Sequence, residues 1–489
     1  MARPLVLIHG YSAEGTAFDS LRDALQKKGI NPTDINVCNY VSLNNEITIK
    51  DIAEGLDRAF RKHQVLLNED QEFDAIVHST GMLVLRSWLT NYGAAVGANR
   101  RLARLKHLIG LAPATWGSPQ AHKGRTWLGA LVKGNRQLGP DFLNAGDRVL
   151  EGLELGSAFT WELAHADLLG EKPYYDRGGA TPFVTVFIGN HPYEGLSSVA
   201  NDPGTDGTVR WAGCGLNTRK ITIDLTRTPI GANGQPVARA TISPWANNRL
   251  DVPMIPVEGK NHSTLVSDPD DGMVNLLIDF LKVGAPGGES HEAWLQRAQK
   301  YGASALKKMQ INPGGGLAGA EEEIKKFFGH IAGENPEEPM DGWQQFVVHA
   351  IDERGDGISD YMIEVLTQRP DHTWVEFKDM YTDVHAYGPD SSFRCFHLRL
   401  PRGISAGKIP LRVRINASTG TELMAYQGYG SEERQLSATS EPVELDISDL
   451  GDGNGSLFYP FTTTLIEIVL NREPLPFNEQ SKLLQWLTK

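Results

Sequence analysis

The feature that most limits how this 489-residue chain can fold is a regular alternation of short apolar runs with helix-like segments through its first half. Apolar runs fall at 4–9, 36–41, 73–78, 106–112, 182–189 and 253–259; amphipathic stretches at 20–28, 48–64, 81–92 and 272–283 lie between them. Parallel strands need crossover connections, and helical crossovers cover both faces of the sheet, so the pattern predicts an α/β region with a parallel sheet buried on both sides.

From 117 to 169 the alternation gives way to short amphipathic stretches at 126–132, 140–153 and 157–169. They predict an insertion over about 117–175 that caps the carboxyl ends of the strands; extra helical packing on the sheet edge is the alternative. A second insertion, with 220–225 and 236–243 flanking Gly231-Ala-Asn-Gly234, reads as a β-hairpin. Beyond 283 the texture changes. A loop at 284–289, a helical stretch at 291–309, a glycine-rich break at 312–316 and an acidic helix at 320–328 make 286–340 a helical linker region. Short strands at 346–351, 361–367, 393–400, 411–415, 443–447 and 464–470 then predict an all-β, sandwich-like domain over 341–489, ending in an amphipathic helix at 478–487. Period-two alternation is clearest in Ile409-Pro-Leu-Arg-Val-Arg-Ile415, where Arg412 and Arg414 share one face.

The net charge of −13 disfavours nucleic acid or an anionic membrane surface as partners. Cys38, Cys214 and Cys395 cannot all pair within the chain, and no Cys-x-x-Cys unit occurs, so neither a disulfide framework nor a zinc framework is expected. His349, His372, His385 and His397 match no metal-ligand spacing. No cofactor and no metal are therefore expected. No stretch reaches the roughly 18 apolar residues of a membrane span, and Met1-Ala-Arg-Pro-Leu-Val-Leu-Ile-His9 lacks a secretory signal core. Cytoplasmic residence follows, unless a signal was removed or a leaderless export route is used. Composition leaves the oligomeric state open.

The residues that carry chemistry begin with Val77-His-Ser-Thr-Gly81, set between the apolar run 73–77 and the helical run 82–89. A strand-to-helix turn of this kind exposes one serine hydroxyl and aims the first helical N–H groups at the same space, which makes Ser79 the nucleophile candidate. The bland reading is a serine capping a buried helix. A serine attacks a carbonyl at neutral pH only with a base within hydrogen-bond reach and an acid to fix the base's tautomer. His262 is the best placed base of the 14 histidines, in the loop Glu258-Gly-Lys-Asn-His-Ser-Thr264 at the carboxyl end of an apolar run. For the acid, the loop Asn201-Asp-Pro-Gly-Thr-Asp-Gly-Thr-Val209 offers Asp206 first and Asp202 as its rival; an Asp-Gly pair is also a common plain turn. Thr80 N–H, and Tyr11 N–H in His9-Gly10-Tyr11-Ser12, are the candidate oxyanion donors.

These pieces, together with Leu5-Val-Leu-Ile-His-Gly10, Leu108-Ile-Gly-Leu-Ala-Pro-Ala-Thr-Trp-Gly-Ser118 and Asn261-His-Ser-Thr264, resemble the α/β-hydrolases, in particular bacterial lipases and carboxylesterases. The resemblance covers 1–285 and respects the family order Ser, Asp, His. It implies an α/β-hydrolase catalytic domain with Ser79, Asp206 and His262 as triad and Tyr11 and Thr80 as oxyanion donors. It also implies a carboxylic ester hydrolase acting on a small-molecule or lipid ester through an acyl-enzyme. A phospholipase or acyltransferase with the same triad is the nearest rival, and a catalytically silent binding protein the more distant one. The chain departs from the family at Val77, where a small residue is usual, at Met82, where a second glycine is common, and in starting directly at the strand that ends in His9-Gly10. Some lipase-group relatives bind calcium near the catalytic histidine; here Asp268, Asp270 and Asp271 read as a helix cap instead. Trp116, Trp127, Leu128, Leu131, Phe142, Phe159 and Trp161 are candidates for lining an acyl pocket, or simply core.

Overall fold

The computed structural model describes residues 3–10, 18–30, 35–38, 46–62, 71–91, 98–125, 146–170, 174–175, 178–193, 201–245, 252–311, 339–377, 382–404, 409–421, 423–430, 442–450 and 457–474. The chain forms two compact units, one of residues 1–218, 245–343 and 461–463, the other of 219–244, 344–460 and 464–489.

In the first unit, strands β1 (Leu5–Ile8), β2 (Ile35–Cys38), β3 (Phe73–His78), β4 (Leu105–Leu111), β5 (Phe183–Gly189) and β8 (Met254–Val257) form one sheet in the order β2-β1-β3-β4-β5-β8. Every pairing is parallel, as the alternation predicts. Residues of β1 and β3 are buried throughout, because helices leave neither face of a strand to water. Phe60, Phe73 and Trp88 meet edge to face with ring centroids 5.7–5.9 Å apart and lock the helices Ile49–Lys62 and Gly81–Asn91 onto β3. The chain runs from β1 outward to β2 and then returns to the opposite side for β3. The order therefore reverses between β1 and β3, and the crevice beyond their carboxyl ends is where open α/β sheets bind ligands.

Of the insertion read as a cap, helices Pro119–Arg125, Asp147–Leu153 and Ala158–Asp167 are described. Ala158–Asp167 packs on Gly81–Asn91, and Asp147–Leu153 packs on Ile49–Lys62. The stretch 126–145 lies outside the described residues. Helix His291–Ile311, in the region read as a linker, packs on β8 and on helix Asp271–Phe280, where the buried Trp294 indole donates to Leu276 O at 3.0 Å. The acidic stretch 320–328 and the terminal stretch 478–487 lie outside the described residues.

The second unit is antiparallel. Strands β11 (Trp374–Glu376), β10 (Asp360–Gln368), β14 (Leu411–Ser418) and β16 (Val443–Asp446) form one sheet. The other runs β12 (Thr382–Ala386), β13 (Phe393–Pro401), β9 (Met340–Asp352), β17 (Thr463–Pro474), β6 (Thr218–Asp224), β7 (Ala240–Ile242), with β15 (Met424–Gln427) beside β17. The hairpin read around Gly231 is β6 and β7, and it belongs to this unit. Ile221, Ile223 and Leu225, alternate residues of one face, enter the same apolar core as Val348, Val413, Ile415 and Ile468. Strands β11, β12 and β15 are short and their patterns weak, so the sequence does not announce them. An α/β parallel sheet with a helical insertion, followed by a two-sheet β region, is the architecture that the alternation and the later strand pattern predict. Among the described residues no helix is long and apolar enough to cross a membrane.

Candidate active site

The turn after β3 is strained where the sequence places its serine: Ser79 has φ 52°, a left-handed backbone that non-glycine residues seldom adopt. Ser79 N–H donates to Leu111 O at 3.2 Å, and Ser79 O accepts from Met82 at 3.3 Å and from Ala114 at 3.0 Å. These bonds over-determine the turn, so the strain persists. Close packing explains the small residues around it. A Cβ on Gly81 would lie 2.5 Å from Ile8 O, and one on Gly10 would lie 2.7 Å from Ser79 Cβ and 3.3 Å from its Oγ. The backbone after β1 thus presses directly on the serine side chain. Val77, the departure from the small-residue pattern, is accommodated as a fully buried core residue.

His262 lies in the loop after β8, buried, with Nδ1 3.0 Å from Asp206 Oδ2. Its backbone N–H also donates to Asp206 O at 3.1 Å. The second carboxylate oxygen, Asp206 Oδ1, accepts from Thr208 N–H at 3.0 Å and Val209 N–H at 2.9 Å, so the carboxylate is held by its own turn. Asp202 turns elsewhere, accepting from Gln120 Nε2 at 3.4 Å. Tyr193 OH lies 3.0 Å from Thr208 Oγ1 and 3.1 Å from Ser263 Oγ, and bridges the acid's turn to the base's loop.

The ring of His78, the residue before Ser79, stands 4.7 Å from the His262 ring, and its Nε2 is 3.0 Å from His262 O. His262 and Asp206 are therefore gathered at the end of β3 that carries Ser79. Burial, then the charges of His262 and His9, hold the His78 pKa down to about 3 against an opposing pull from its bond to His262 O. Burial, followed by the charge of Asp206, pushes the Cys214 thiol up, which leaves it protonated and inert.

Thr80 is fully buried, and its hydroxyl has no partner among the described residues. Tyr11 lies outside the described residues. Asp270 caps helix Asp271–Phe280 by accepting from Met273 N–H at 2.9 Å, as read from the sequence. Trp116 is core: it is fully buried and its indole donates to Gly215 O at 3.2 Å. Trp161 is buried and Phe159 half-buried, while Trp127, Leu128, Leu131 and Phe142 lie outside the described residues. Sequence reading gave no role to His78 or Tyr193. The adjacency of His78 to the serine is the one signal that could have singled it out.

No protein-family model and no curated protein matches the chain. Solved structures do. Phospholipase PlaB from Legionella pneumophila has TM-score 0.68 at 19% identity, covering 99% of this chain and 98% of that one. The same phospholipase in complex with thio-NAD gives 0.67 at 20% identity, covering 99% and 98%. Bacillus licheniformis lipase BlEst2 in mature form gives 0.34 at 14%, covering 56% and 91%, too distant to carry weight. Over nearly its whole length, then, the chain has an α/β-hydrolase fold extended by a two-sheet β region, the fold it has in common with the Legionella phospholipase structure.

Proposed function

We propose that the protein is a carboxylic ester hydrolase that works through an acyl-enzyme on Ser79. The observation that carries this reading is the bond from His262 Nδ1 to Asp206 Oδ2 at 3.0 Å, with the His262 ring 4.7 Å from that of His78, the residue before a serine whose φ is 52°. In the proposed reaction His262 Nε2 takes the Ser79 proton as Oγ attacks the ester carbonyl. Asp206 holds the ring in the Nδ1–H tautomer and stabilises the imidazolium. His262 then returns the proton to the leaving alcohol, and a water deprotonated by the same ring releases the acid. Thr80 N–H is assigned as one oxyanion donor and Tyr11 N–H as the other; each contributes on the order of 3 kcal/mol to lowering the barrier. The contact between Gly10 and Ser79 supports the second assignment, since it brings the chain just before Tyr11 against the nucleophile.

A phospholipid acyl ester is the second reading, favoured by the full-length likeness to a phospholipase fold. The test is turnover of short aryl esters and of phospholipid vesicles by wild type and by Ser79→Ala, with fluorophosphonate labelling mapped to the modified residue. Retained turnover in Ser79→Ala ends the proposal. Product transfer to added alcohol at the expense of free acid would make it an acyltransferase, and binding without turnover would make it a silent relative.

A further inference from the structure

We infer that His78 is a positioning residue for the proposed reaction: its imidazole donates to the main-chain carbonyl of His262 and ties the base's loop to the strand that delivers Ser79. The inference rests on the serine-hydrolase reading of the site and names a residue which that reading does not use.

A carbonyl oxygen only accepts, so the His78 Nε2 at 3.0 Å from His262 O carries the hydrogen. His262 N–H meanwhile donates to Asp206 O at 3.1 Å. Both main-chain polar groups of His262 are therefore claimed, one by the proposed acid and the other by the residue before the proposed nucleophile. This fixes the three partners relative to one another through the backbone of His262, independently of the side-chain bond at Nδ1. The bond is buried, where it is short of competing water, and the Phe18 ring stands edge-on to His78 with centroids 6.4 Å apart.

The charge state of His78 suits the task. The groups that face it are His262 from the loop after β8, with Asp206 behind it, and His9 from the turn after β1. With its pKa held near 3, His78 stays a neutral donor throughout the range in which esterases work. A charged ring 4.7 Å away would oppose the imidazolium that His262 becomes during catalysis. Loss of the bond frees the loop to shift, and a misplacement of about 1 Å costs on the order of 100-fold in rate.

The experiment compares full-length wild type, His78→Phe, His78→Gln and Ser79→Ala on one soluble ester. Phenylalanine keeps the ring but lacks the donor; glutamine keeps an N–H donor of similar reach. His78→Phe is expected to lower kcat by roughly 10- to 100-fold with KM within about twofold, since positioning acts on the chemical step. His78→Gln should recover most of that loss, and imidazole 1H–15N correlation spectra of wild type at pH 7 should show His78 as the neutral Nε2–H tautomer. The inference falls if His78→Phe keeps full kcat, if both variants lose activity equally, or if the spectrum places the proton on Nδ1. Should His78→Phe not fold, the glutamine variant and the wild-type spectrum still decide. Turnover retained by Ser79→Ala would sink the serine reading itself, whereas an inactive Ser79→Ala beside an unaffected His78→Phe would sink only the role given to His78.

Discussion

In the first unit Arg86 and Asp167 pair through two bonds, Nε to Oδ2 at 2.8 Å and Nη2 to Oδ1 at 2.9 Å, and neither side chain touches water. In the second unit Arg414 pairs with Glu364 at 3.0 Å and with Glu444 at 2.6 Å on cross-strand neighbours that are 30–38% exposed. The distances are alike; the surroundings are not. Burial alone would pull the Arg86 guanidinium down, but the charge and hydrogen bonds of Asp167 outweigh it and raise the pKa above its ordinary value. Tyr175 OH adds a third bond to Asp167 at 2.8 Å, and Arg86 Nη1 satisfies Thr115 O at 2.9 Å, so the cluster ties the helix after Ser79 to helix Ala158–Asp167. Solvent screens the second unit's ladder, so its bonds are worth little individually. The Arg86–Asp167 cluster of the first unit is thus buried and decisive, whereas the Arg414 ladder of the second is shared, screened and forgiving.

The strongest attack on that contrast is at the proposed chemistry. Ser79→Ala is expected to lower ester turnover by about 10^5-fold or more, with the unfolding midpoint nearly unchanged. Asp206→Asn should cost about 10^4-fold in kcat, because the ring of His262 loses its tautomer-fixing acceptor, while Asp202→Asn leaves the chemical step intact. A large loss in Asp202→Asn with Asp206→Asn spared would reverse the assignment, and equal losses would remove it.

Stability measurements then sharpen the difference between the units. Arg86→Met strands the buried Asp167 carboxylate and should destabilise by roughly 3–5 kcal/mol in denaturant titrations. Acid should also be felt through His78. Its pKa is near 6.5 when unfolded and about 3 when folded, so its contribution is complete above pH 6.5 and is lost as pH falls toward 3. His78→Gln should accordingly lose less stability than wild type between pH 6.5 and 4. The smallest effect belongs to the second unit: Arg414→Met should change stability by less than about 1 kcal/mol, and a larger change would show that the ladder acts as a buried network.

Much of this was readable in advance where the signal is local. The sheet strands of the first unit lie within a residue or a few of the apolar runs, since a strand buried on both faces needs only a short apolar stretch between helices. The turn at Ser79 was readable as strand, serine, glycine and helix, while the order of the proposed acid and base came with the family resemblance. Asp202 and Asp206 could not be separated, because they share one loop and only its folded path brings a carboxylate to His262. Likewise β6 and β7 read as a hairpin, yet nothing local told which sheet their apolar face would join.

The sequence by itself determined the periodicities, and with them the strand–helix succession, the antiparallel second region and the serine at a sharp turn, because each depends on neighbours a few positions apart. Only the tertiary structure decided that Asp206 meets His262, that His78 holds His262 by its carbonyl, and that Arg86 finds Asp167. Those bonds join residues 56, 184 and 81 positions apart. Their partners are selected by packing and by the cost of leaving a buried polar group unpaired, and no local pattern encodes that cost.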